Sequence, residues 1–251
     1  MSGHSKWATI KRKKAANDSA RSRVWTKIIR EISVSARDGG ADPSGNPRLQ
    51  LAIESAKGSN MPKDNIERAI KKGAGGDKDG NAYVELIYEG YGPGGIAYIV
   101  ETTSDNVNRT AGEIRHIFSK YGANLGSIGS VSYMFERVGI ITIKTDNVDE
   151  DELTLEAIEA GAMDIKSDSD HFEIKTKRED IFQVRSHLES AGYQIESAEF
   201  QYVPDTMTKV DDEIAIANFR LMEKLEENED VANVFNNLEM DDETLSLAEK
   251  M

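Results

Sequence analysis

The sequence contains no cysteine, which excludes disulfides, thiolate nucleophiles and zinc sites built on sulfur and fits a reducing cytoplasm. It also lacks any apolar run near the roughly 20 residues needed to span a bilayer. No secretory leader is expected either, because Lys27 and Arg30 bracket Ile28 and Ile29 where an apolar core would have to be continuous. The four histidines, His4, His116, His171 and His187, are far apart, and none pairs with another at helical spacing. No GxSxG sequence announces a nucleophile. Asp168, Asp170 and Glu173 beside His171 lack the glycine and the ligand spacing of a calcium loop, and read as a polar hairpin turn. The expectation is a protein with no catalytic residues, no metal and no cofactor.

What the chain does have is a divided charge. Residues 1–76 hold 16 Lys+Arg against 7 Asp+Glu, whereas residues 77–251 hold 15 against 38. A basic module is therefore joined to an acidic body, and the pI of 4.8 conceals it. Such local reversal of charge points to a polyanionic partner. With 251 residues, 38% of them hydrophobic, there is ample chain for a core and for more than one domain.

Within Ala20–Arg37 the residues Val24, Trp25, Ile28, Ile29, Ile32 and Ala36 recur at helical spacing, and Asp38-Gly39-Gly40 ends the helix. Arg23, Lys27, Arg30 and Arg37 fall on a stripe about 80° wide on the opposite side. Asn46-Pro47 reads as a cap and first residue of a second helix, to about Lys57, and a third starts at Met61-Pro62 and stops at Gly73. After a glycine-rich linker, Tyr83–Tyr88 and Ile96–Glu101 read as strands. Gly90 to Gly95 between them match GxGxxG, yet a strand and not a helix follows, so a glycine-rich hairpin is expected in place of a dinucleotide site.

A helix to Tyr121, a long turn over 122–129 and a strand over 131–135 come next. The order over 138–202 is strand, helix, strand, strand, helix, strand, the ferredoxin-like arrangement. Helix 211–226 and a strand near 231–235 are too little for a domain and are expected to return to the part before residue 137. The fold class is α+β with three domains: a helical basic domain over 1–76, an α/β domain over 81–136 plus 204–251, and an inserted ferredoxin-like domain over 137–203.

Binding is thus the expected activity. Lys6, Lys11, Arg12, Lys13, Lys14, Arg23, Lys27 and Arg30 are the candidate phosphate contacts, which give affinity and position without reading bases. Lys11 to Lys14 alone equally suit a solvated face or a nuclear-localisation tract. Trp7, between Lys6 and Lys11, is placed to stack on an unpaired base, whereas Trp25 belongs to the core. A second contact loop is formed by Asn106, Asn108 and Arg109; its competing reading is an Asp/Asn turn that caps the next helix. No helix-turn-helix is recognisable.

These residues resemble the YebC family, which includes bacterial proteins described as transcriptional regulators and a mitochondrial translational activator of cytochrome c oxidase. The likeness is carried by Gly3-His4-Ser5-Lys6-Trp7, Lys13-Lys14-Ala15, Lys27 to Ile32, Gly39 to Pro43, Asn60 to Ile66 and Arg68 to Gly73. Tyr88 to Gly95, Asp105-Asn106, Asn108-Arg109-Thr110 and Gly129-Ser130-Val131 extend it through most of the chain. Position 107 is Val where many members carry a basic residue. Residues 1–30, basic with Asp18 as their single acid, have the composition of a mitochondrial transit peptide, but the likeness begins at the first residues. It implies three domains, the first helical, in a cytoplasmic, non-enzymatic, DNA-binding regulator of transcription. The alternative it implies is a ribosome-associated translation factor that binds rRNA and relieves stalled translation. A protein-interaction scaffold is the third reading, with the acidic domains offered to a protein partner; no membrane is expected.

Overall fold

The computed structural model describes residue 7 and residues 18–76, 82–167 and 170–249. Helices α1 (Asp18–Gly39), α2 (Pro47–Gly58) and α3 (Lys63–Lys71) open the chain. The apolar positions of α1 do what their spacing requires: Ile28, Ile32 and Ala36 are buried against Leu49, Ala52 and Ala56 of α2 and Met61, Ile66 and Ala69 around α3. Gly40 closes α1 at φ 92°, the left-handed conformation that glycine adopts without strain. Asn46 caps α2 by accepting from Leu49 N at 3.1 Å, and its amide donates to Ser35 O and Gly40 O, so one buried side chain joins two helices. Past α3, a Cβ on Gly73 would collide with the Ser33 carbonyl, so only glycine permits the close approach to α1.

Strands β1 (Val84–Tyr91) and β2 (Ala97–Ser104) pair antiparallel about Gly92–Gly95, so the GxGxxG residues form a hairpin, as the sequence predicts. Helix α4 (Val107–Lys120) and the short β3 (Asn124–Leu125) follow. The strand expected over 131–135 does not form. Val131 N and Ser132 N are taken by the Glu89 carboxylate, Ser132–Met134 makes a 3-10 turn, and the next strand, β4, begins at Phe135 and runs to Lys144.

Helix α5 (Glu150–Ala160), β5 (Asp164–Ser167), β6 (His171–Lys177), α6 (Ile181–Ser190) and β7 (Ile195–Pro204) continue the chain. Their sheet order, β5-β6-β4-β7, is ferredoxin-like. Ile141, Ile143, Phe172 and Ile174 pack on Leu153 and Ala157 of α5 and Val184 and Leu188 of α6.

The chain then supplies α7 (Asp212–Glu227), β8 (Val231–Asn236) and α8 (Asp242–Glu249), the last with no counterpart in the sequence reading because it is only 8 residues long. Strand β8 pairs antiparallel with β2, giving the order β3-β1-β2-β8. Under this sheet Tyr98, Val100, Ile114 and Phe118 meet Phe219, Met222 and Leu225 of α7. Residues 135–203 form one compact unit, and 204–251 return to the unit that holds the three-helix module and β1–β3. Departure and return are tied together, Asp205 N donating to Met134 O at 2.9 Å.

Gly73→Ala tests the close helix contact. It is expected to destabilise the chain by about 2 kcal/mol through overpacking, whereas Gly58→Ala, with nothing near the added methyl, is expected to be neutral or slightly stabilising in denaturant unfolding.

Candidate nucleic-acid interface

Helix α1 was expected to turn a basic stripe outward, and most of that stripe is engaged inside the molecule. Lys27 Nζ donates to the Glu226 carbonyl at 2.8 Å, in the last turn of α7. Arg30 is 9% exposed; it pairs with Asp230 at 2.8 Å and donates to the Glu229 carbonyl. Arg37 binds Asp38 and the Tyr83 carbonyl. The cause is electrostatic: a helix C-terminus carries unpaired carbonyls and partial negative charge, and Asp230 adds a full one, so the chain provides its own anion for these cations. Arg23, half exposed, has no ion pair among the described residues.

Trp7 is corrected most clearly. It is 7% exposed, lies parallel to the Phe219 ring with centroids 5.3 Å apart, and donates from Nε1 to Glu226 Oε1 at 3.0 Å. A ring so placed is itself anchored on α7 and leaves no face for a base. Trp25 is half buried against the helical core and donates to Ser59 O at 3.0 Å. Lys6, Lys11, Arg12, Lys13 and Lys14 lie outside the described residues.

In the second loop, Asn106 Oδ1 accepts from Arg109 N at 3.1 Å and caps α4, the competing role read from the sequence. Arg109 is split between Asp105 at 2.9 Å and Asp230 at 2.7 Å. Asn108 is exposed.

Asp230, which the sequence reading passed over, is therefore a hub. It is 3% exposed; Oδ1 meets Arg30, while Oδ2 accepts from Arg109, from Thr110 Oγ1 at 2.6 Å and from Ser104 Oγ at 3.2 Å. Burial opposes its ionisation, but the Thr110 and Arg109 hydrogen bonds and the charges of Arg30 and Arg109 prevail and hold its carboxyl below the usual range. No local pattern marks it, since its partners Arg30 and Arg109 are distant in sequence.

The exposed cations of the module among the described residues are Arg21, Arg37, Lys57, Lys63, Arg68 and Lys71, of which Arg37 is the one paired with Asp38. Lys63 pairs with Glu67 at 3.4 Å, and Lys57 and Lys71 have no ion pair among the described residues. Among those residues no group of three or more His, Asp and Glu is placed to hold a metal ion, and no helix is long and apolar enough to cross a membrane.

A three-helix module packed with one antiparallel sheet, and a ferredoxin-like unit inserted in the chain between residues 134 and 204, make a three-part α+β architecture. Residues 5–76 match the family model described as the TACO1/YebC protein N-terminal domain, and residues 83–238 match the TACO1/YebC second and third domain. The chain belongs to the TACO1/YebC family. It is 51% identical over 242 residues to a "Probable transcriptional regulatory protein" of Persephonella marina, covering 96% of each chain. A protein of the same description from Desulforamulus reducens is 52% identical over 241 residues, with 95% of this chain and 99% of that one covered. The crystal structure of a conserved hypothetical protein from Aquifex aeolicus superposes with a TM-score of 0.83 at 46% identity, covering 90% of this chain and 93% of that one.

Asp230→Asn leaves Arg30 and Arg109 without their buried counter-charge and is expected to cost about 3 kcal/mol in chemical denaturation. Because the folded pKa of Asp230 is depressed, its stabilising contribution is complete above about pH 4, the unfolded value, and is lost as the pH falls through the folded one. The variant is expected to show a flatter loss of stability with acid than the parent.

Proposed function

We propose that the protein is a nucleic-acid-binding regulator of transcription that contacts DNA phosphates through its helical module and acts in the cytoplasm. The observation that carries this reading is the 16 Lys+Arg against 7 Asp+Glu of residues 1–76, in a chain of net charge −14. The names of the relatives support a regulatory role. The footprint consists of Lys6, Lys11, Arg12, Lys13, Lys14 and Arg23, joined by the exposed Lys57, Lys63, Arg68 and Lys71. Trp7, Lys27 and Arg30 act one step back, as positioning residues that fix the module on α7.

In this division of labour residues 1–76 hold the phosphates, while the acidic parts over 81–136 with 204–251, and 137–203, are offered to a protein partner. Acidic domains oppose indiscriminate binding to polyanions and so sharpen preference for particular sites or shapes.

One observation favours rRNA on the ribosome as a second reading. The longest helix of the module, α1, spends Lys27, Arg30 and Arg37 on intramolecular partners, so it offers no continuous basic face of the kind a major-groove helix uses. Phosphate contact with a folded RNA needs no such helix.

Replacing Lys11, Arg12, Lys13 and Lys14 by Glu in the full chain is expected to abolish nucleic-acid binding without unfolding the protein. In the parent, affinity is expected to fall with salt at a log–log slope of about −0.9 per phosphate neutralised on duplex DNA. Unchanged affinity in the folded variant would refute the footprint. Crosslinking in cells with sequencing of both DNA and RNA, beside sedimentation with translating ribosomes, decides between the promoter and rRNA readings.

A further inference from the structure

The turn between β3 and β4 is held more tightly than a surface loop requires, and it holds apolar side chains in water. The Glu89 carboxylate, 4% exposed on β1, accepts from Gly129 N at 2.8 Å, Val131 N at 2.8 Å and Ser132 N at 2.9 Å. Gly126 N donates to the Glu89 carbonyl at 2.7 Å, and Tyr91 Oη donates to Ser130 O at 2.9 Å. Burial alone would push the Glu89 carboxyl up; three backbone N–H donors outweigh it and hold the group ionised, below the usual range. Charge-assisted bonds of this kind are the strong ones. Gly129, at φ 86°, makes the turn that aims its amide inward.

The clamp presents Ile128, 91% exposed, and Tyr133, 72% exposed, the two most exposed large apolar side chains among the described residues. Folding gains nothing from fixing such a tip in solvent, so its rigidity points outward, to a ligand that benefits from pre-organisation. The surrounding charge narrows the ligand. From Ile114 to Phe135 the sequence has Arg115, His116 and Lys120 but no Asp or Glu, in a chain that carries 45 acidic residues. The Glu89 carboxylate, held against the loop, is consumed by backbone donors. An apolar and aromatic tip on an acid-free, weakly cationic segment suits nucleobases: the aromatic ring stacks, the branched aliphatic side chain wedges, and the segment itself carries no carboxylate to repel the phosphates.

We propose that loop 126–134 is a second nucleic-acid contact, in which Ile128 and Tyr133 pack against unpaired bases while the helical module holds the phosphates. This rests on the nucleic-acid reading above and adds to it the state of the bases, single-stranded or extruded, that the protein takes. Glu89 and Tyr91 are positioning residues for the tip.

The test uses the full-length chain and short single-stranded RNA and DNA containing 2-aminopurine, with the matching duplexes as controls. The parent is expected to change 2-aminopurine fluorescence on binding single strands. The Ile128→Ala, Tyr133→Ala double variant, altered only at exposed side chains, is expected to bind them on the order of tenfold or more weakly, with the fluorescence change lost. Its affinity for duplex and its log–log salt slope are expected to stay at the parent values, since apolar contacts release no counterions. A parent that binds no nucleic acid overturns the functional reading and this inference together. A parent that binds, with a double variant of equal single-strand affinity and equal fluorescence change, overturns the loop contact alone.

Discussion

The buried carboxylate of Asp230 organises the larger unit of this protein. It sits just before β8 and receives Arg30 from the helical module and Arg109 and Thr110 from the start of α4. Removing a charge from water is costly, and the cost is offset only where every lone pair is engaged. Four side-chain partners on one carboxylate meet that condition and, in doing so, fix three separate parts of the chain in one arrangement. Beside it, Lys27 on the last turn of α7 and Trp7 on Phe219 dock the module by a helix-terminus interaction and an aromatic stack.

This docking changes the meaning of the basic module. A positive stripe on an acidic chain has two candidate anions, an external polyanion and the chain's own carbonyls and carboxylates. In α1 the internal anion takes Lys27, Arg30 and Arg37. Arg48 on α2 is taken as well, by Glu31 and Glu85, so the cations left to an external partner include Arg23, Lys57, those on α3, and the tract at Lys11 to Lys14. Glu89 repeats the same device on a smaller scale: a buried carboxylate satisfied by backbone donors stiffens a loop that hydrophobic burial could not, because the tip is exposed.

Periodicity marked the helices over 18–39, 47–58 and 63–71 and the β-α-β-β-α-β order of residues 135–204, because each depends on local spacing of apolar residues and on caps such as Asn46 and Gly40. The strand expected over 131–135 failed for a non-local reason, since Glu89, some 40 residues earlier, takes the amides that a ladder would need. Trp7 looked like a stacking residue because its sequence neighbours are basic. Its spatial neighbours, Phe219 and Glu226, made it a core residue.

Most of the helices and strands, the ferredoxin-like order of residues 135–204, the charge asymmetry and the family are legible in the chain itself, since they are carried by composition, short-range pattern and motif order. Which side chains of the basic module are occupied and which face solvent follows from the packing in three dimensions. Arg23, Lys27 and Arg30 are equivalent on a helical wheel, and nothing within α1 distinguishes them. What separates them is the position of Glu226, Glu229 and Asp230, roughly 200 residues away in sequence and within hydrogen-bonding distance in space. Ion pairing and desolvation are set by distance in three dimensions, which local pattern does not encode.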